Sequence, residues 1–337
     1  MSKRVIGVSL SIAISVGLLV YLFSNVEWGK LLNELKRVNF AYFPLLAIIF
    51  VLSFWVRAVR WRLLLPGEPK LSTFKLCEAT IVGLLATNIF PFRAGEVIRP
   101  WLLSKFQRVS FSTALASVIT ERAFDVVALL LFFGIVLLKI ENAPKIVIAG
   151  ALVLGVLVAV IVGIMILAYL MPKVVLGLGE SAVRKLVHPW NEPLGAKLIT
   201  MGGEFIDGLK AISSYRELLL VMVYSLAIWI IFAAFYQVGL WCFGIYPSFW
   251  VGLALTVIIA LAVAAPSAPG FFGVFQLGTV IALSGIYHYE EEFALGYSLV
   301  MHAFQYIGMF ILGFLVLQYE RLGIADLRRH QSVDANE

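Results

Sequence analysis

Nine apolar runs alternate with polar segments along the chain: Val5–Phe23, Tyr42–Val56, Leu76–Phe90, Phe111–Leu138, Ile146–Met171, Leu218–Phe243, Phe249–Ala265, Phe271–Ile286 and Phe293–Leu317. A helix that crosses a bilayer needs roughly 20 residues, mostly apolar. The third run is too short. Glu78 and Arg93 bracket it, and it stops at Asn88, Pro91, Arg93, Gly95, Glu96 and Arg99. Pro91 and Pro100 have no backbone N–H to donate, and Gly95 tolerates angles other residues avoid, so the helix is expected to break across this stretch. The pattern predicts a helix that enters the bilayer and turns back, its polar residues sheltered inside the protein.

A second broken stretch repeats the design. Asn88-x-x-Pro91-x-x-x-Gly95 matches Pro266-x-x-Pro269-x-x-x-Gly273 position for position, and Gly270 adds another flexible point. If all nine runs crossed, most Lys and Arg residues would face outward, against the positive-inside rule. Folding residues 74–108 into a hairpin from the cytoplasm and 248–287 into one from outside reverses that count. The expected fold is therefore an all-α polytopic membrane protein with about six full transmembrane helices and two re-entrant hairpins. Both termini are then cytoplasmic, and the two halves form an inverted repeat, as in many secondary transporters. One transmembrane domain is expected over 1–337: a first half 1–171, a cytoplasmic linker 172–216, a second half 217–318 and a tail 319–337. Within the linker Leu194, Leu198, Met201, Phe205, Leu209 and Ile212 recur at three- and four-residue spacing, which predicts an amphipathic helix lying on the inner leaflet or covering the inner hairpin.

Composition agrees with the pattern: 61% of residues are hydrophobic and 14% charged, against about 25% charged in ordinary soluble chains. The net charge of +6 reflects basic residues beside spans and is read as topology, with no nucleic-acid partner. Cys77 and Cys242 sit in apolar runs and read as packing residues. Lys3 and Arg4 precede a run of span length with no small-x-small cleavage pattern, so a retained first helix is expected.

Chemistry concentrates beside the first hairpin. Thr113, Ser117, Glu121 and Asp125 recur at steps of four in the fourth run, with Arg122 adjacent, and carry a polar stripe to mid-bilayer depth. Together with Arg93, Glu96 and Arg99 they form a set of three basic and three acidic groups. Intramembrane charges are costly and are seldom left unpaired, so they mark functional sites. Planar guanidinium forks suit phosphate oxyanions, and helix ends broken at Asn88–Gly95 and Pro266–Gly273 offer free N–H groups. The carboxylates then hold the arginines, carry a coupling proton or contact a cationic head group. The competing interpretation is an ion network that only fastens hairpin to helix; the pattern leaves both open. Arg57, Arg60 and Arg62 with Trp55 and Trp61 read as interfacial anchors at the end of the second run, with a patch that lipid head groups approach as the alternative.

The second half is chemically different. Around Pro266, Pro269, Gly270 and Gly273 the polar groups are neutral: Ser267, Gln276, Ser298, His302 and Gln305, with the last three on one helical face. His302 is read as a hydrogen-bonding packing residue that could also titrate. His288 with Glu290, Glu291 and Glu292 reads as a solvated acidic rim. No metal site and no cofactor is expected.

Asn88-x-x-Pro91-x-Arg93-x-Gly95-Glu96-x-x-Arg99, Glu121-Arg122-x-x-Asp125 and Pro266-x-x-Pro269-Gly270-x-x-Gly273 together resemble the lysylphosphatidylglycerol synthetase transmembrane-region family, a flippase-like domain also found alone. The family's second motif usually ends in Glu where this chain has Gln276. The resemblance spans nearly the whole chain and implies lipid translocation in a cytoplasmic (inner) membrane rather than enzymatic aminoacylation, since no aminoacyl-transferase segment follows. The expected substrate is an anionic phospholipid or polyprenyl-phosphate lipid, bound by Asn88, Arg93, Glu96, Arg99, Glu121, Arg122 and Asp125. The alternatives are a membrane-embedded head-group transferase or phosphatase, and a partner subunit of a lipid-modifying enzyme. A homo-oligomer is compatible with either.

Overall fold

The computed structural model describes residues 3–24, 26–65, 71–107, 109–139, 145–210, 212, 214–265 and 267–323. Among them every regular element is helical. Four stretches are long and apolar enough to cross a membrane: Phe40–Leu63, Tyr215–Cys242, Pro269–Ile286 and Glu291–Tyr319. A fifth candidate is a pair bent by 93°, Ser11–Phe23 with Trp28–Lys36, drawn from α1 (Lys3–Phe23) and α2 (Trp28–Lys36). The chain is thus a multi-pass membrane protein.

The two long helices α3 (Phe43–Leu63) and α10 (Tyr215–Cys242) run antiparallel. The backbone N–H of Asn39, just before α3, donates to the Cys242 carbonyl at the end of α10 at 2.7 Å, and the Tyr42 and Tyr246 hydroxyls meet at 3.1 Å. At the other end Arg60 reaches Ser225 at 2.9 Å. This pair fixes a direction for everything else.

After α3 the chain forms a helical hairpin of α4 (Thr73–Ile89) and α5 (Gly95–Gln107). Its ends meet where the Ser72 N–H donates to the Gln107 side chain at 3.1 Å, beside Arg62, which donates to Thr73 at 3.2 Å. The arms cross at two glycines: a Cβ on Gly95 would lie 1.8 Å from the Gly83 carbonyl oxygen. The tip is a 3-10 turn, Pro91–Arg93. At about 26 and 20 Å from their helical rise, the two arms fall short of a bilayer core of roughly 30 Å. The helix breaks only at this tip. Pro100, expected to break it again, lies inside α5, where it removes only a bond to Glu96 in the helix's first turn.

After α10 a second hairpin forms from α11 (Phe249–Ala264), the 3-10 turn Pro269–Phe271 and α12 (Val274–Val280), which continues as a π-helix over Ile281–Ile286. Its ends meet where Tyr287 donates to the Trp250 carbonyl at 3.4 Å. Because α3 and α10 are antiparallel, the two hairpins start from opposite ends of the molecule and their tips meet between them. There Arg93 donates to the Val263 carbonyl at 2.7 Å. The tips are built alike. Pro91 and Pro269 open the 3-10 turns, and Arg93 (φ 54°) and Phe271 (φ 60°) are left-handed residues at matching places, each pair 178 residues apart. The helices that follow, α6 (Phe111–Lys139) and α13 (Glu291–Tyr319), match at nearly the same offset. Pro266 lies outside the described residues.

Residues 172–216 contain two helices, α8 (Pro172–Leu186) and α9 (Glu192–Lys210), after α7 (Lys145–Leu170). The expected amphipathic helix exists, but it covers α6 rather than the first hairpin. A Cβ on Gly208 would sit 2.0 Å from the Thr120 hydroxyl, and this close approach fixes the pairing. Ile206, Leu209 and Ile212 are buried, whereas Leu194, Leu198 and Met201 remain exposed.

Candidate functional site

The polar stripe of α6 faces inward. Ser117, Thr120 and Glu121 are buried and Asp125 is half-buried. Glu121 is the hub. Arg99 of α5 grips it with both terminal nitrogens, Nη1 to Oε1 at 2.8 Å and Nη2 to Oε2 at 3.0 Å. Arg122 donates to the same Oε1 at 2.7 Å, and Arg60 of α3 lies 3.2 Å from it. Arg60 also donates to Asp125, which sits 3.4 Å from Arg122. The Arg99 guanidinium stacks 3.8 Å from the centre of the Trp61 ring, and the Trp61 indole donates to Ser117 at 2.8 Å. One fully buried carboxylate therefore ties three helices together through charge-assisted bonds, the strongest type available to side chains.

Arg60 and Trp61 correct the sequence reading. Both were expected as interfacial anchors, and both are wholly buried at the centre of the ion network. The helix runs to Leu63, so these residues lie inside it rather than beyond its end. The signal was present in the spacing: Ser53, Arg57 and Arg60 step by four and three along an apolar helix, which is one face. Trp55 remains exposed, as an anchor would be.

Beside the network lies a cavity of about 180 Å³ at the junction of α3, the first hairpin, α6 and the tip of the second hairpin. Asn88, Arg93, Glu96, Arg99 and Arg122 line it with Arg57, and Val263 and Phe271 close it from the second hairpin. Five of the seven expected binding residues thus share one cavity, and the other two, Glu121 and Asp125, stand behind it holding the arginines. Asn88 donates to the Leu84 carbonyl at 2.9 Å. Glu96 makes no ion pair within 4 Å among the described residues. Arg57 has no carboxylate partner among them either; it lies over the Phe232 ring at 5.1 Å, and its buried Nε has no acceptor.

The second hairpin tip is held by neutral groups. Gln276 accepts from the Gly273 N–H at 2.8 Å and lies 3.0 Å from His302 Nδ1, while His302 Nε2 lies 2.8 Å from the Gly270 carbonyl. A proton on Nε2 satisfies all three contacts at once, with Gln276 donating to Nδ1. Gly270 (φ 78°) and Gly273 (φ 83°) occupy the left-handed region that favours glycine. Ser15 of α1 accepts from the Ala268 N–H at 2.9 Å and clamps the tip from outside. Gln305 stands apart, donating to the Tyr236 hydroxyl at 3.3 Å.

Residues 8–313 match the family described as the lysylphosphatidylglycerol synthase TM region. The chain belongs to that family. The glycosyltransferase AglD of Haloferax volcanii is 24% identical over 307 residues, a match that covers 82% of this chain and 49% of the relative. The chain therefore spans about half the length of that curated protein. No solved structure matches. Family membership accords with a lipid-related role in a membrane, and the described residues of the three motifs that suggested it lie at or beside the two hairpin tips and on α6.

Proposed function

We propose that the protein moves a phosphate-bearing lipid, an anionic phospholipid or a polyprenyl-phosphate lipid, across the membrane without modifying it. The observation that carries this reading is the arginine-lined cavity where two hairpins from opposite ends meet. A site at the meeting point of two inverted repeats is where alternating access operates in secondary transporters. The lipid phosphate enters this cavity while its chains stay in the bilayer. Arg93, Arg99 and Arg122 approach the phosphate, Glu121 and Asp125 keep the guanidiniums oriented, and Asn88 and Glu96 complete the wall. Pro91, Gly95, Pro269, Gly270 and Gly273 give the tips the backbone geometry that rearranges as access alternates. By the positive-inside rule both termini and the α8–α9 pair face the cytoplasm.

The test is transbilayer movement of a fluorescent short-chain phospholipid in vesicles carrying the purified protein, read by chemical quenching of the outer leaflet. Wild-type protein is expected to make the inner-leaflet lipid accessible, and Arg93→Gln combined with Glu96→Gln to slow this severalfold with the fold intact. Unchanged movement in the double variant would remove the cavity from the function. A second reading, a lipid head-group transferase, is favoured by the name of the archaeal relative. Product formation from candidate lipids and sugar donors by the purified protein would support it.

A further inference from the structure

We infer that the cavity selects a doubly charged phosphomonoester head group over a singly charged phosphodiester, and that Arg57 is the residue that makes the selection. This rests on the lipid reading proposed above and deepens it.

The argument is a charge balance. Two carboxylates, Glu121 and Asp125, serve three guanidiniums: Arg60, Arg99 and Arg122. Arg57 is a fourth guanidinium on the same cavity and has no carboxylate partner among the described residues. Arg93 and Glu96, unpaired with each other, add one charge of each sign to the cavity lining. Five arginines against three carboxylates leave two positive charges in excess. Placing uncompensated cations at membrane depth is unfavourable, and such groups pair with an anion or mark its path.

A phosphomonoester supplies that compensation. At neutral pH it carries a charge of about −1.5 to −2, with a second pKa near 6, and three terminal oxygens. A phosphodiester carries one charge and two free oxygens. The unmet hydrogen-bond capacity agrees with the charge. The Nε atoms of Arg57, Arg99 and Arg122 are all buried without an acceptor, and all three residues line the cavity. Guanidiniums with unmet donors beside one space suit an anion. At about 30 Å³ per water, the cavity has room for a phosphate with bound water.

The experiment uses the full-length protein in detergent at pH 7.5, titrated separately with short-chain phosphatidic acid, short-chain phosphatidylglycerol and inorganic phosphate. Phosphatidic acid is expected to bind at least roughly tenfold more tightly than phosphatidylglycerol, the order of effect that one extra partly screened charge contact gives. Arg57→Gln should bring that ratio close to one by weakening the phosphatidic acid arm alone, and Arg57→Lys should restore most of it. The preference should shrink at pH 5.5, where the phosphomonoester takes up its second proton. Arg57 makes no ion pair among the described residues, so an unchanged melting temperature is expected and checks that the variant is folded. Equal affinity for both lipids, or a ratio untouched by Arg57→Gln, overturns this inference and leaves lipid translocation standing. Failure of both lipids to bind overturns the inference and the lipid reading together. Inorganic phosphate competing as well as phosphatidic acid would overturn the lipid assignment and make the ligand a soluble anion.

Discussion

Glu121 and Arg57 are both charged groups inside the membrane region, yet their removal should have opposite consequences. Glu121 is fully buried and is shared by Arg60, Arg99 and Arg122. Glu121→Ala would leave three guanidiniums with one carboxylate among them, and breaking a buried pair in this way costs about 3–5 kcal/mol. Arg57→Gln removes a cation that makes no ion pair within 4 Å among the described residues and should change stability by less than about 1 kcal/mol. Thermal unfolding of both variants in the same detergent separates them. A Glu121→Ala protein as stable as wild type would mean the network does not hold the helices together. The sequence made Glu121, Arg122 and Asp125 legible, because charge in an apolar run is conspicuous. That Arg60 completes the network was harder to read: the Ser53, Arg57 and Arg60 spacing puts it on one face of α3, but the spacing alone does not say whether that face meets the interface or the core.

Each hairpin depends on a close backbone approach that only a residue without a side chain permits. In the first, Gly95 presses on the Gly83 carbonyl; in the second, Gly273 packs on α1, where an added Cβ would lie 2.8 Å from the Ser15 carbonyl oxygen. Gly95→Ala must push the arms of the first hairpin apart, at a cost of about 1–3 kcal/mol if the crossing yields like an overpacked core. The expected result is a lowered melting temperature, together with weaker cavity binding, because Arg99 lies one turn along α5 from Gly95. An unchanged melting temperature would show that the crossing is looser than it is here. The break at Pro91–Gly95 was legible because proline and glycine act locally. The continuation of α5 through Pro100 was not, since its cost depends on how far the proline lies from the helix start. The partner of α9 was not legible either: an apolar stripe tells that a helix is covered and not by what.

At the scale of the molecule, the antiparallel α3 and α10 make the two hairpins approach from opposite sides. On a background with the free thiols Cys77 and Cys242 replaced, Phe74→Cys at the base of the first hairpin and Phe249→Cys at the base of the second place single thiols at exposed positions. A membrane-impermeant maleimide added to intact cells should label the second, and the first only after permeabilisation. Labelling of both from one side would refute the inverted arrangement. The membrane class and the two breaks at Pro91 and Pro269 were legible in the chain, because hydrophobic length and helix-breaking residues act locally. Tertiary structure alone decided that the hairpin tips meet, that α3 supplies Arg57 and Arg60 to their junction, and that Glu121 is shared while Arg57 is not. Arg60 and Asp125 are 65 positions apart and Arg93 and Val263 170, and only the packing of whole helices brings such residues within reach of one another.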